Sequence, residues 1–518
     1  MARYFGLRGS ALNKAIALLV VWPAFGCYAY NLAVMGGLLT LTSFITTFPQ
    51  LDTITTTGHQ QHLNSQIQGT VMGGYNIGGI FGSLLCMYFG DRLGRRRIIT
   101  IAASVAIIGA VLMSTSFSLA QLTVARLILG AGTGGYLATV PVWQSELVGA
   151  SNRGASLVIN TGFIGSGISL ALFIDLGFYF IGSNSVSWRF PFAFQIVLLL
   201  MVAILVPLMP ESPRWLIKQG RRDEAGEILA VLLDAEANSD AVQADLRDIE
   251  SSLAMSSSES WLDVFKMGKQ RTMHRTILAA SAQFFQQMCG INVITLYTTT
   301  LFESVIGLNP VQARILSACI GLADIAGGVV AFFTIDRLGR RVLMLSSSVV
   351  LCISMAVIAG TTMDSGNTGA LVVAVVFVYI FEGVFSIGFS GLPYLYAAEL
   401  APLQHRAATS AISTATVWAF SFVVAEVTPI GLNAISYRYF IIFAVFNAFI
   451  GLAVYLCFPE TKGRYLEEID EIFLRSNSIF DPPRVARQLP HLRLAQALSD
   501  TKLQDENNDE DNYAMQTI

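Results

Sequence analysis

Apolar runs of about twenty residues, each closed by a short polar stretch, recur along the whole chain, and a run of that length is what a helix needs to cross a bilayer. Twelve can be counted, at approximately 15–39, 68–89, 98–116, 119–140, 154–175, 190–209, 275–303, 312–335, 342–362, 369–396, 407–428 and 438–458. The first is longer than the roughly 7–15 apolar residues of a cleavable signal, so it reads as a span. Residues 211–274 form the one long polar insert and divide the runs six and six. Within that insert Ile228, Leu229, Leu232 and Leu233 fall at helical spacing, which predicts two or three short amphipathic helices on the membrane face. After Pro459 the acidic cluster Glu467, Glu468, Asp470 and Glu471 predicts another short helix. Beyond about Asn477 the composition predicts a disordered acidic tail.

Composition agrees with this pattern: 13% of residues are charged and 53% hydrophobic, against about 25% charged in soluble domains. The fold class is therefore an all-α membrane protein with twelve transmembrane helices in two six-helix halves and a helical insert between them. The segments are a short N-terminus (1–14), a first half (15–210), a linker (211–274), a second half (275–458) and a C-terminal helix with its tail (459–518). Lys and Arg crowd the N-terminus, the segment 92–97, the central insert, the segment 337–341 and the C-terminal region, while residues 40–67, 176–187 and 363–368 hold none. By the positive-inside rule both termini and the insert are cytoplasmic. The net charge of −3 and the lack of a long basic run give no sign of nucleic acid. Six cysteines lie inside apolar runs at unrelated spacings, which argues against a disulfide framework and against a metal site.

The two halves repeat their charges. GDRLGRRR at 90–97 returns as IDRLGRR at 335–341; Glu146 and Arg153 return as Glu399 and Arg406; Pro210-Glu211-Ser212 returns as Pro459-Glu460-Thr461. A duplicated membrane unit of this kind is a carrier architecture more than an enzyme's. The charges stand at the membrane edge, where pairing offsets their desolvation. Asp91 and Asp336 can cap the next helix or accept from arginine, and Arg95 and Arg340 have Glu146 and Glu399 as natural partners. Together with Arg153, Arg406, Glu211 and Glu460 they are read as a latch that ties the cytoplasmic helix ends together in one conformation. Positive-inside anchoring alone would leave the repeated Asp, Gly and Glu positions unexplained.

GAGTGG at 130–135 lacks the Lys-Ser/Thr of a phosphate loop and sits in an apolar run, so it reads as close helix packing, like Gly74, Gly78 and Gly82. His59 and His62 have no third ligand in sequence and read as outer-loop residues. No Ser/His/Asp grouping supports catalysis, and no cofactor is expected. QQMCGIN at 286–292 differs in kind, since amides inside a span are costly unless they face water or other protein. On an unbroken helix Gln287 and Asn292 would stand about 140° apart; a bend at Gly290 would bring them to one cavity. Amides pair with hydroxyls without charge, which suits a neutral polyol; polar glue between helices is the alternative.

These residues make the chain resemble the sugar porter family of the major facilitator superfamily, from about Leu12 to Phe473. VPVWQSE (140–146), SWRFPFAFQIV (187–197), PESPRWL (210–216), QFFQQMCGIN (283–292), LPYLYAAEL (392–400) and PETKGRYLEEID (459–470) match in order and spacing. The fungal branch that holds a glycerol–proton symporter beside sugar carriers is the nearest in pattern, through VPVWQSE, the 175–195 stretch and DPPRVARQLPHL (481–492). The resemblance implies alternating access around a central site, with Gln286, Gln287 and Asn292 as substrate amides, Tyr297 as a gate and Trp418 as an aromatic wall. Departures stand at Asn31, where the family's fungal members usually have a proton-linked Asp, and at Thr161, Asp324, Tyr394 and Ser421, where a Gln, an Asn, a Trp and an Asn are frequent. Arg126 then lacks its usual carboxylate. Proton coupling either is absent or has moved to Asp324 or Glu382.

The function these signs imply is secondary transport of a sugar or polyol across the plasma membrane, as facilitator or proton symporter, by a monomer in the bilayer. An exporter of a metabolite and a non-transporting sugar sensor remain alternatives on the same fold.

Overall fold

The computed structural model describes residues 3–148, 153–256, 264–268, 270–363, 367–402, 405–464 and 466–489. All regular structure among them is helical. We number the twelve long helices α1 (Gly9–Leu38), α2 (Gly58–Leu93), α3 (Arg95–Ser114), α4 (Leu119–Leu147), α5 (Arg153–Tyr179), α6 (Val186–Leu205), α7 (Thr272–Val305), α8 (Pro310–Leu338), α9 (Arg340–Thr361), α10 (Thr368–Leu400), α11 (Arg406–Ile435) and α12 (Arg438–Cys457). Eleven are long and apolar enough to cross a membrane. The other, α4, runs 29 residues but carries Gln121, Arg126, Gln144 and Glu146, which lower its apolar character. It is wedged between α2 and α3 through glycines: Cβ atoms on Gly130 and Gly134 would collide with the α2 carbonyls of Tyr75 and Gly79, and Gly132 abuts Ala102 and Ala106 of α3. GAGTGG is thus a packing stripe, as its sequence setting predicts.

The linker forms the three helices Pro213–Lys218, Arg222–Leu232 and Asp240–Ser256, the first capped by the Ser212 hydroxyl, which accepts from the Trp215 amide at 3.1 Å. The C-terminal helix spans Leu466–Arg475. It is pinned beneath α7 by Arg275, whose buried guanidinium meets Asp470 at 2.6 Å.

The chain just beyond Asn477 departs from the disorder its composition predicts. Asp481 accepts from the amides of Asn477 at 2.9 Å and Ser478 at 2.6 Å. A helix follows at Pro482–Gln488, while Arg271 and Arg464 donate to the carbonyls of Asn477 and Leu489. Local capping, two arginines and the buried Pro482, Pro483 and Ala486 thus order a segment whose composition is mostly polar. The acidic tail beyond residue 489 lies outside the described residues.

Two helices are broken where chemistry is concentrated. Gly290 adopts φ 102°, a left-handed conformation that separates Thr272–Met288 from Ile291–Thr300. In α10 a π turn at Ser386–Ser390 precedes Pro393, and such turns release backbone carbonyls from the helix ladder.

Candidate functional site

Near the middle of the bundle the breaks in α7 and α10 feed one chain of amides. Asn292 donates to Gln287 Oε1 at 2.7 Å and to Ser421 Oγ of α11 at 3.0 Å. Ser421 in turn donates to Asn76 Oδ1 of α2 at 3.2 Å. Gln287 donates to Gln286 Oε1 at 3.3 Å. All five side chains are buried, the most exposed being Gln287 at 6%. The row therefore crosses from the second half, through α7 and α11, into the first half at α2.

Gln286 is only half available. Its amide nitrogen donates to the carbonyls of Phe389 (2.7 Å) and Ser390 (2.8 Å), the groups that the π turn of α10 leaves free. The sequence reading grouped it with Gln287 and Asn292 as a substrate amide; here its donors brace α7 against α10. Two polar side chains that reading missed belong to the same region. Asn76 completes the amide row, and Gln283, one turn before Gln286 and Gln287, is fully buried with neither amide atom hydrogen-bonded. Both carry the same sequence signal as Gln286, an amide inside an apolar run.

Aromatic groups flank the row. Trp418 of α11 packs edge-on to Tyr28 of α1 and Tyr75 of α2, with centroids at 5.8 and 6.0 Å. Gly79 of α2 is what lets the indole lie so close, since a Cβ there would strike its ring. Tyr394 is half-buried on the last segment of α10. Tyr297 stands at a kink (φ −124°, ψ 21°) and its phenol donates to the Ala425 carbonyl of α11 at 2.9 Å.

Other sequence candidates stand apart. The Asn31 amide turns back on its own helix, donating to the Cys27 carbonyl at 2.9 Å, and does not join the amide row. Arg126 reaches the α2 carbonyls of Val71 and Met72, both at 3.4 Å, and lies over the Tyr75 ring at 5.3 Å. Asp324 and Glu382 are buried together in the second half. The side chains of Thr161, Asp91 and Arg153 lie outside the described residues.

The duplicated charges form two matching networks, each inside its own half. Arg95 pairs with Glu146 at 3.1 Å, and Arg340 pairs with Glu399 and with Asp336, both at 2.9 Å. Glu211 and Glu460 cap the next helices: Glu211 accepts from the Arg95 and Arg96 amides, Glu460 from those of Arg340 and Arg341. A carboxylate at a helix N-terminus is favoured by the macrodipole and by its unpaired N–H groups. Burial pushes the Glu211 carboxyl above its ordinary range, while the donated N–H groups and Arg96 pull it back. The repeated glycines now have a reason as well. Gly94 and Gly339 have φ of 87° and 98°, and a Cβ on either would meet Glu211 Oε2 at 2.9 Å or Glu460 Oε2 at 2.6 Å. The described bonds join the cytoplasmic ends of neighbouring helices, α3 to α4 and α9 to α10, each within one half. Arg406 opens α11.

The halves are fastened to each other at the opposite end of the bundle, by residues that sequence reasoning passed over. Arg314 of α8 donates to the Gly37 carbonyl of α1 at 2.9 Å and to Thr40 Oγ1 at 2.7 Å, with its guanidinium over Tyr179 of α5 at 4.4 Å. Asn433 of α11 donates to Ser65 Oγ of α2 at 2.7 Å.

A family model described as "Sugar (and other) transporter" matches residues 19–473. The chain is 34% identical to the MFS-type transporter oryC of Aspergillus oryzae, over 94% of this chain and 90% of that one. It is 33% identical to the sugar transporter STL1 of Saccharomyces cerevisiae, over 95% of this chain and 86% of that one. Among solved structures, the proton:xylose symporter XylE bound to 6-bromo-6-deoxy-D-glucose superposes with a TM-score of 0.75 at 23% identity, over 89% of this chain and 99% of that one. That likeness is one of fold.

Proposed function

We propose, for a chain that belongs to the sugar (and other) transporter family, that it carries a small neutral hydroxylated solute, a hexose, a pentose or a polyol such as glycerol, by alternating access. The observation that carries this reading is the uncharged amide row from Gln287 through Asn292 and Ser421 to Asn76, buried between the halves. Its donors and acceptors match hydroxyl groups and offer no counter-charge to an ion. Gln283 adds an unpaired amide to the same side, and Trp418 supplies an apolar face for a sugar ring. Thr161 and Tyr394 complete the proposed lining, with Tyr297 as the gate.

The Arg314 and Tyr297 contacts hold shut the end of the bundle remote from the basic turns. With Lys and Arg placed inside, that end is extracellular, both termini are cytoplasmic and the membrane is the plasma membrane. The charge networks from Asp91 to Glu211 and from Asp336 to Glu460 brace each half so that it moves as one body, with Arg153 and Arg406 as the duplicated members at the starts of α5 and α11. The relatives are named as transporters, and catalysis has no part in this reading.

The test is uptake of a labelled panel of hexoses, pentoses and polyols into transporter-null cells, with and without a protonophore, beside efflux from preloaded cells. Saturable uptake of one class supports the proposal. Movement only outward assigns an exporter, and saturable binding without flux assigns a sensor.

A further inference from the structure

Two carboxylates lie inside the second half, and among the described residues no cation is paired with either. Asp324 of α8 is 2% exposed and Glu382 of α10 is 1% exposed. Among the described residues neither oxygen of Asp324, nor Oε2 of Glu382, has a hydrogen-bond partner within bonding geometry, and their helices touch at this level: a Cβ on Gly383, next to Glu382, would lie 3.3 Å from the carbonyl of Ala323, next to Asp324. Every element around them contributes neutral groups. From α10 comes the Ser386 hydroxyl beside Asp324, and from α7 the Thr295 hydroxyl and the Cys289 thiol beside Glu382. From α5 come Gly165 and the Ser169 hydroxyl. The arginines of α9, Arg340 and Arg341, are held at its far end by Glu460. The Ser386 hydroxyl, buried beside Asp324, has no other described partner, and that of Ser169 faces Gly321, one turn of α8 before Asp324.

Such a pair cannot stay doubly ionised in a region screened neither by water nor by a cation, because each charge opposes the other and burial opposes both. A proton held by one carboxyl and donated to the other removes the conflict, and the pair then titrates as a unit. Access to it depends on the other half. A Cβ on Gly165 would lie 2.9 Å from Asp324 Oδ2, so α5 seals that carboxylate directly. When the halves rock, the α5–α8 seam is where this seal opens or closes.

We propose that Asp324 and Glu382 bind a transported proton between them, so that solute movement is coupled to proton movement. The proton is taken from water on one side as an O–H on one carboxylate, held by the other, and returned to water on the second side. This rests on the carrier reading and supplies the coupling site that Asn31, which cannot titrate, does not.

The test has two readouts on the full-length protein. The first is infrared spectroscopy of the purified chain in lipid nanodiscs at neutral pH. A carboxylic-acid C=O band is expected that weakens in Asp324→Asn and in Glu382→Gln and most in the double variant, any remainder being assigned with Asp175→Asn, since Asp175 of α5 is the other carboxyl buried with neither oxygen bonded among the described residues. No such difference in folded variants, or in the wild type alone no buried carboxylic-acid band, overturns the proposal. The second uses proteoliposomes holding a pH indicator, given gradients of glycerol, xylose or glucose. Wild type should acidify the lumen as solute enters, and Glu382→Gln should lower the protons moved per solute by at least tenfold. An unchanged ratio overturns the proposal. A proton band with no movement of any of the three solutes upholds the proton pair and counts against the carrier reading instead.

Discussion

Asn292 donates to Gln287 Oε1 at 2.7 Å although five residues of continuous helix would set the two side chains about 140° apart. The left-handed Gly290 between them makes the bond possible. A solute hydroxyl that replaces either partner would find a donor and an acceptor already aimed at one point. Gln287→Ala or Asn292→Ala is therefore expected to raise the apparent solute constant roughly tenfold or more, since a buried polar group left unpaired costs about 1–3 kcal/mol. Surface expression should stay near wild type. Unchanged affinity in both variants would return the row to helix glue.

Gly290 itself is the sharper structural test. A side chain there would have to adopt φ 102° and place its Cβ 2.7 Å from Met355 Cε and 3.0 Å from the Phe443 ring. Left-handed backbone costs an L-residue about 1–2 kcal/mol, and overpacking about 1–3 more. Gly290→Ala should lower the melting temperature in detergent and weaken solute binding together. A variant as stable as wild type, with normal binding, would show that α7 tolerates a straight path.

Much of this organisation was legible in the chain because hydropathy and charge are local properties. The span count, the insert helices, the pairing of Arg95 with Glu146 and of Arg340 with Glu399, and the break at Gly290 all follow from residues within one segment or its repeat. Contacts between distant helices were not legible. Gln286 spends its donors on carbonyls that only a π turn in α10 exposes. Arg314 stands near the start of α8, and nothing local in sequence points to the α1 carbonyl it reaches. Asn76 lies in an apolar run of α2, and only the packing of α11 brings Ser421 to it. Glu211 and Glu460 were read as members of a salt network; that they cap α3 and α9 depends on the geometry of two turns.

The network around Glu399 predicts a stability effect with a defined partner. Glu399 takes two bonds from Arg340, the shorter at 2.9 Å, and one from the Thr461 hydroxyl at 2.6 Å. Its removal leaves Arg340, whose side chain is 10% exposed, with the Ile335 carbonyl and the solvent-facing Asp336, and with no buried counter-charge among its described partners. Glu399→Ala should cost about 1–3 kcal/mol and slow solute exchange while equilibrium binding persists, because the brace lies far from the amide row. Adding Arg340→Ala should cost much less than it does alone. Strict additivity in thermal unfolding would deny the coupling, and loss of binding with normal exchange would place these residues in the site.

Arg314 governs the balance between states if its bonds to Gly37 and Thr40 are what hold the remote end closed. Hydrogen bonds from a charged donor are worth about 1.5–3 kcal/mol each, and every 1.4 kcal/mol changes a two-state ratio about tenfold. Arg314→Ala should therefore open that end in most molecules. Arg314→Lys, which keeps the charge but has no planar fork, should open it less. The exposed residues Ser183 and Asn309 lie at that end in opposite halves, so spin labels placed there report the separation directly. A longer, broader distance distribution in Arg314→Ala than in Arg314→Lys is expected, with wild type shortest. Identical distributions in all three would mean that Tyr297 and Asn433 close this end without help from Arg314.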